Sequence, residues 1–208
     1  CSSDLGGSKM QMNTRNGVRC NTRMAYLDPA EGRANLTVMT ETLATRIRFE
    51  GARAVGLLAR SAGREVSLNA RKEIILCGGA FNTPQLLELS GVGQRAVLEA
   101  AGVPLLHELP MVGENLSEHV YSPVAYRTKP GVSWNKTLNS PLGKVGAGLR
   151  YLTRRDGPLS SNSLTAQAFV PAQSGGSQAD IKLQIQQIST SNNRSKGKLA
   201  IDDHDGVT

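Results

Sequence analysis

The chain has 208 residues, 24 Lys and Arg against 17 Asp and Glu, and a formal net charge of +7. Apolar residues make up 39% and charged residues 20%, which excludes a wholly disordered or collagen-like chain; no apolar run approaches the roughly 18 residues of a membrane helix. Basic residues are scattered and aromatics are 4%, too few rings for base stacking, so the charge reads as solvated surface and nucleic acid is not an expected partner.

The opening Cys1–Leu5 has no initiator Met and no charged-then-apolar leader. It can be back-translated as TGC TCT TCC GAT CTN, which resembles the end of a common sequencing adapter. Residues 1–5 are therefore set aside from fold reasoning as a non-native scar. Both ends look cut, and the sequence reads as an excerpt.

Residues 6–22 are polar and Gly-rich, with little periodicity. Asn21–Ala30 predicts a short helix stopped by Pro29. Leu36–Thr40 is rich in β-formers and predicts a strand. Leu43–Phe49 alternates through Thr45 and Ile47, with Arg46 and Arg48 on the other face. Glu50-Gly51 turns it into Arg53–Ala59, and Ser61-Ala62-Gly63 turns again into Glu65–Leu68. This is an antiparallel β-meander.

Glu73–Cys77 is a short apolar run, the pattern of a strand buried on both faces in the parallel core of an α/β sheet. Gly78-Gly79 ends it. A helix follows, with Thr83 as N-cap, Pro84 at its first position and Gly91 as its stop. Gln94–Ala101 predicts a second helix that buries Val97, Leu98 and Ala101 and ends at Gly102. Residues 103–119 form an irregular connection, and a domain boundary falls near Val120. Beyond it, Tyr121–Thr128 reads as a strand. Ser140–Arg155 reads as a helix opened by Pro141, with Leu142, Val145, Leu149 and Leu152 along one face. Thr165–Val170 is a strand, Gln173–Gln178 a loop, and Ile181, Leu183 and Ile185 alternate with polar residues as in a half-buried strand. The tail from Ser189 is polar and reads as loose.

The cysteines are Cys1, Cys20 and Cys77, with no CxxC pair and no Cys/His metal spacing. Sparse, odd-numbered thiols suit a reducing cytoplasm, with peripheral membrane association left open. Chemistry is best placed at the strand–Gly-Gly–helix unit. Glycines let backbone approach a ligand, and nucleotides bind beyond the carboxyl ends of strands in open α/β sheets. A Gly-Gly pair by itself reads more readily as a tight turn.

The longer string adds weight. Residues 79–93, Gly-Ala-Phe-Asn-Thr-Pro-Gln-Leu-Leu-Glu-Leu-Ser-Gly-Val-Gly, resemble the second signature of the glucose-methanol-choline (GMC) oxidoreductases at every constrained position. Tyr26–Pro29 with Arg33–Leu36, Phe49–Gly56 and Arg155–Leu159 are similar to further family segments. Leu109–His119 resembles the family's Pro-Gly-Val-Gly-x-Asn-Leu-x-Asp-His stretch, with Met111 in place of Gly and Glu118 in place of Asp. The resemblance runs from about residue 20 to residue 188, nearest the choline dehydrogenase-like branch.

The resemblance implies an FAD-dependent oxidoreductase that moves a hydride from a small-molecule alcohol to the flavin while a base takes the hydroxyl proton. It implies an α/β fold: part of a Rossmann-like FAD domain with a β-meander over 6–119, then part of an antiparallel substrate-binding domain over 120–208. Carried over by motif, the Ala44 backbone meets the adenine, and Cys77, Gly78 and Gly79 lie beside the ADP part of the cofactor. An ordinary strand residue serves Ala44 equally well. Thr83 reads as a helix cap and His119 as structural. The family's GxGxxG, its first signature and its catalytic His segment are not among these residues. No catalytic residue and no metal ligand is therefore assigned, and the excerpt is expected to be inactive. Oxidase, hydroxynitrile lyase or photodecarboxylase chemistry on the same scaffold stays open, the last disfavoured because Ser161–Leu164 holds no Cys. A basic nucleic-acid-binding module and a noncatalytic remnant are the readings from other classes.

Overall fold

The computed structural model describes residues 6–191 and 200–208, so the scar expected at 1–5 lies outside the described residues. Ala34–Val120 forms one compact unit, and the residues before it join Tyr121–Thr208 in a second. Helices and strands are mixed in an α/β arrangement.

The segment before Ala34 carries more structure than its composition suggests. Gly6–Lys9 (β1) is a strand, and Thr14–Arg15 (β2) pairs with Val18–Arg19 (β3). The turn between β2 and β3 is Asn16-Gly17, with φ of 52° and 69°, the left-handed pair of a type I′ hairpin. Arg23–Leu27 makes a π-helical turn that runs into a 3-10 turn, Asp28–Ala30, so Pro29 lies inside a turn instead of stopping a helix.

In the unit Ala34–Val120, Leu36–Thr40 forms no strand; its side chains are exposed, and no strand lies beside it among the described residues. The meander is present: Thr42–Glu50 (β4), Arg53–Ser61 (β5) and Arg64–Asn69 (β6), antiparallel in the order β4-β5-β6. Ile47 and Ala59 are its buried core. The β4–β5 register slips between Ala44 and Arg46, and the Thr45 hydroxyl donates to the Leu58 carbonyl at 3.1 Å.

Glu73–Cys77 departs from expectation. It is irregular, and Ile75 is 74% exposed. A parallel strand is held by its neighbours, and among the described residues none pairs with this segment. The helix after it is Gly79–Leu89 (α1), capped at Gly78, so Thr83 and Pro84 are inside it. Val92–Gly93 (β7) pairs in parallel with His107–Glu108 (β8). Between them Arg95–Ala100 (α2) buries Leu98 alone; Val97 and Ala101 face solvent, because a helix under two turns long turns only one position inward.

In the second unit only Tyr126–Arg127 (β9) of the expected 121–128 is strand. Asn135–Asn139 (α3) precedes Pro141–Arg154 (α4), whose N-cap hydroxyl on Ser140 accepts from the Gly143 N–H at 3.3 Å. Pro141 opens α4 as expected. The apolar face is not buried: Leu142 is 85% exposed, and Val145, Leu149 and Leu152 are each more than half exposed. Leu164–Val170 (β10) is the middle strand of a sheet ordered β1-β10-β11, with Ile181–Gln186 as β11. That pairing is why residues 6–33 fold with this unit and not with the meander, as the expected boundaries placed them. On β11 the alternation is real, but Ile181, Leu183 and Ile185 are the outward residues while Gln184 and Gln186 are half-buried.

The tail is anchored where it is described; residues 192–199 lie outside the described residues. Thr190–Ser191 (β12) pairs with Ala200–Ile201 (β13), and Gly206–Val207 (β14) with β9. Asn135, 0% exposed, donates to the Ser189 hydroxyl at 2.9 Å and to the His204 carbonyl at 2.7 Å, and accepts the Ser189 N–H at 3.1 Å. The Ser133 hydroxyl donates to buried Asp205 at 2.8 Å, and Lys136 Nζ lies 3.4 Å from the other oxygen. Chiefly that Ser133 bond, aided by Lys136 and opposed by burial, holds the Asp205 carboxyl below its ordinary 3.8. A depressed carboxyl stabilises the fold above its unfolded value and loses that contribution as pH falls through the folded one. Melts of wild type and Asp205→Asn are therefore expected to converge below about pH 4. Curves that stay parallel down to the acid limit would show that Asp205 carries no such linkage.

Candidate cofactor site

Within the unit Ala34–Val120 a cavity of about 370 Å³ opens between the meander and α1. That volume is in the usual range of small-molecule sites, about 300–1,000 Å³. Leu43 and Ala44 of β4 and Leu57 of β5 form one wall; Leu76, Cys77 and Gly78 form the rim; Asn82, Thr83 and Leu86 of α1 form the other wall. The chain reaches this shape because the meander's edge strand β4 lies against α1.

Three of the four residues singled out from sequence, Ala44, Cys77 and Gly78, thus line one cavity. Gly79 stands next to them at the head of α1, with φ +81° and open space where a Cβ would sit. At Gly78 a Cβ would come within 3.1 Å of the Asn82 Cβ and the Thr83 N. The loop therefore packs closely onto the first turn of α1, where a side chain would be tight. Cys77 is an exposed free thiol.

Asn82, Thr83 and Leu86 are lining residues that the sequence reading misses. Their spacing of one and three places them on one helix face, but only with α1 begun at Gly79; a start at Thr83 hides the face. The walls are aliphatic where Leu43, Leu57 and Leu86 meet, and polar where Asn82 and Thr83 lie. Such a site suits a flat heterocycle with hydrogen-bonding edges. His119 is exposed, its N–H bonded to the neighbouring Glu118 carboxylate at 3.1 Å, and it does not line the cavity.

The second unit holds a more polar cavity of about 680 Å³, bounded by Gln11–Thr14, Arg19, Tyr151 and Leu159–Asn162. None of the residues singled out from sequence lines it. Among the described residues no group of three His, Cys, Asp or Glu side chains has a metal-holding arrangement, and no helix is long and apolar enough to cross a membrane.

Comparison with known proteins gives a consistent picture. A family model described as GMC oxidoreductase matches residues 1–121. An oxygen-dependent choline dehydrogenase of Chromohalobacter salexigens is 37% identical over 194 residues, covering 92% of this chain and 34% of its own length. An FAD-dependent oxidoreductase from Chaetomium thermophilum shares 25% identity at a TM-score of 0.65, covering 76% of this chain and 28% of its own. A formate oxidase of Aspergillus oryzae RIB40 matches at a TM-score of 0.78 and 22% identity, over 93% of this chain and 37% of its own, and so supports the fold alone. The chain spans about a third of the length of the curated relatives it matches.

Proposed function

Because the chain belongs to the GMC oxidoreductase family, whose members are FAD-dependent flavoproteins, we propose that the cavity beside α1 holds the ADP end of FAD. The observation that carries this reading is the meeting of Ala44, Cys77 and Gly78 along one cavity. The residues fit the group. Gly78 leaves its part of the rim without a side chain, Ala44 presents strand backbone with a minimal side chain, and the aliphatic wall accepts an adenine face.

On this reading, Ala34–Val120 is the trailing part of a Rossmann-like FAD domain. Glu73–Cys77 becomes its inner strand when a parallel neighbour lies beside it, which accounts for an apolar run left exposed here. The second unit, with its antiparallel β1-β10-β11 sheet, begins the substrate-binding domain. The whole protein oxidises a small-molecule alcohol, with the choline dehydrogenase relative favouring a choline-like substrate, and we place it in the cytoplasm. Bound FAD supplies the acceptor for a hydride from the alcohol carbon. This chain's own residues would hold the cofactor's far end: the Gly78 rim would take the diphosphate side, Ala44 would back the adenine, and Leu43, Leu57 and Leu86 would form the apolar wall against the ring.

The test uses full-length apoprotein titrated with FAD and with ADP. Wild type binds both competitively, and Ala44→Phe, which fills the cavity, weakens both at least about ten-fold, a loss near 1.4 kcal/mol. The 208-residue chain supplied with FAD, choline and an artificial acceptor shows no turnover, since general-base chemistry needs a positioned group and none is assigned here. Failure of ADP to compete, or an unaffected Ala44→Phe, removes the cofactor reading.

A further inference from the structure

The cavity has two walls on separate elements, and something must fix their separation. β4 is an edge strand, since the meander order is β4-β5-β6. The outward N–H groups of an edge strand have no ladder partner. One of them belongs to Ile47, a residue 4% exposed and beyond the reach of water. Its hydrogen bond goes to the Ser90 hydroxyl at 2.8 Å. Ser90 is the C-cap of α1, is itself 8% exposed, and donates its hydroxyl proton back to the Leu86 carbonyl. One hydroxyl thus closes the last turn of α1 and stands in for a missing strand neighbour of β4.

The position of this bond matters for the cavity. Ile47 lies three residues beyond Ala44, just past the register slip in β4. Leu86, which takes the Ser90 proton, lines the opposite wall, as does Leu89 next to Ser90. Arg46 reinforces the joint from solvent, its Nε donating to the Leu89 carbonyl at 3.1 Å. Ser90 itself does not line the cavity.

We infer that Ser90 is a positioning residue: its hydroxyl latches α1 to β4 at Ile47 and so sets the gap between Ala44 and the Gly78 end of the helix. The inference rests on the cofactor reading above. It gives the serine of the Ser-Gly-Val-Gly run a physical role without a ligand contact. Ser90→Ala leaves a buried N–H unpaired and the helix end held to β4 through the exposed Arg46 bond. Ser90→Thr keeps the hydroxyl.

Full-length protein is compared as wild type, Ser90→Ala and Ser90→Thr, at a temperature where all three show the same far-ultraviolet circular dichroism. Hydrogen exchange at the Ile47 amide and the FAD dissociation constant of the apoprotein are measured. In Ser90→Ala the Ile47 amide exchanges at least about ten-fold faster and FAD binds about ten-fold more weakly, and Ser90→Thr lies closer to wild type in both. If Ser90→Ala does not fold, Ser90→Cys replaces it with the same expectation. FAD affinity within about two-fold of wild type, or a Ser90→Thr variant no better than Ser90→Ala, overturns the latch. Ala44→Phe separates the two levels. If it weakens FAD while Ser90→Ala does not, the latch alone falls. If it leaves FAD binding unchanged, the cofactor reading falls and the latch with it.

Discussion

Prepared by itself, the 208-residue chain is expected to self-associate and to bind a hydrophobic dye, and charges placed along one helix face should reverse much of both. Large apolar side chains stand exposed in identifiable places: the α4 stripe of Leu142, Val145, Leu149 and Leu152, the outward face of β11, and Ile75 with Phe81 beside the cavity. Each large apolar side chain withdrawn from water contributes about 1.5–3 kcal/mol, so a stripe of four is a strong driver of association. The substitutions Leu142→Glu, Val145→Lys, Leu149→Glu and Leu152→Lys should lower dye fluorescence and light scattering at least about two-fold while moving the melting temperature little, because exposed positions cost about 0.5 kcal/mol or less each. In the full-length protein the sign inverts. Under the proposed function the chain is part of a longer protein, as its curated relatives are, and further sequence packs on these faces; the same four changes should then destabilise it. If the quadruple variant of the short chain aggregates as before, the open outer edges of β1 and β11 are the driver instead.

That face also shows where reading a sequence stops. Spacings of three and four identify α4 and its stripe correctly, and alternation identifies β11. Periodicity reports that one face is apolar; it does not report that anything covers it. The meander is legible because each strand is specified twice, by alternation through Leu43, Thr45, Ile47 and Phe49 and by the turns at Gly51 and Gly63. Glu73–Cys77 is specified only once, by composition, and among the described residues no strand pairs with it. The start of α1 is hard to place because Thr83-Pro84 is a good opening pair, yet the left-handed Gly79 already starts the helix four residues earlier. Asn16-Gly17 carries a readable hairpin signal that the polar composition of residues 6–22 obscures. Asn135, Ser189 and Asp205 carry none. Polar residues read as surface until a partner is known, and these are separated by up to about seventy positions in sequence. The cavity is partly legible for another reason: Ala44, Cys77 and Gly78 are carried over from the family resemblance, whereas Leu57 comes from packing.

Gly91→Ala should be among the most damaging single changes in the chain, although Gly91 does not line the cavity. Its φ is +86°, and an added Cβ would lie 2.6 Å from the Pro104 carbonyl oxygen and 3.1 Å from the Leu106 Cβ. The backbone cannot retreat. The Gly91 N–H donates to the Glu88 carbonyl at 2.9 Å, and its carbonyl accepts from Leu106 at 2.8 Å and His107 at 3.1 Å. Left-handed backbone costs a side-chain-bearing residue about 1–2 kcal/mol, and forced overpacking adds about 1–3 kcal/mol. Together, about 2–5 kcal/mol is a large share of a domain's roughly 5–15 kcal/mol. Gly63→Ala supplies the control. Its φ is +76°, and nothing lies within 4 Å of its added Cβ, so it should lose only the handedness contribution. The difference between the two variants in denaturant midpoints therefore isolates the contact with Pro104. Equal losses would mean that the Pro104 loop yields, and the glycine of Ser-Gly-Val-Gly would then need another reason to be there. A larger loss at Gly91 divides the motif between its two ends. Cys77 and Gly78 line the rim of the cavity, with Gly79 next to them, while Ser90 and Gly91 hold the far end of the helix that forms its wall.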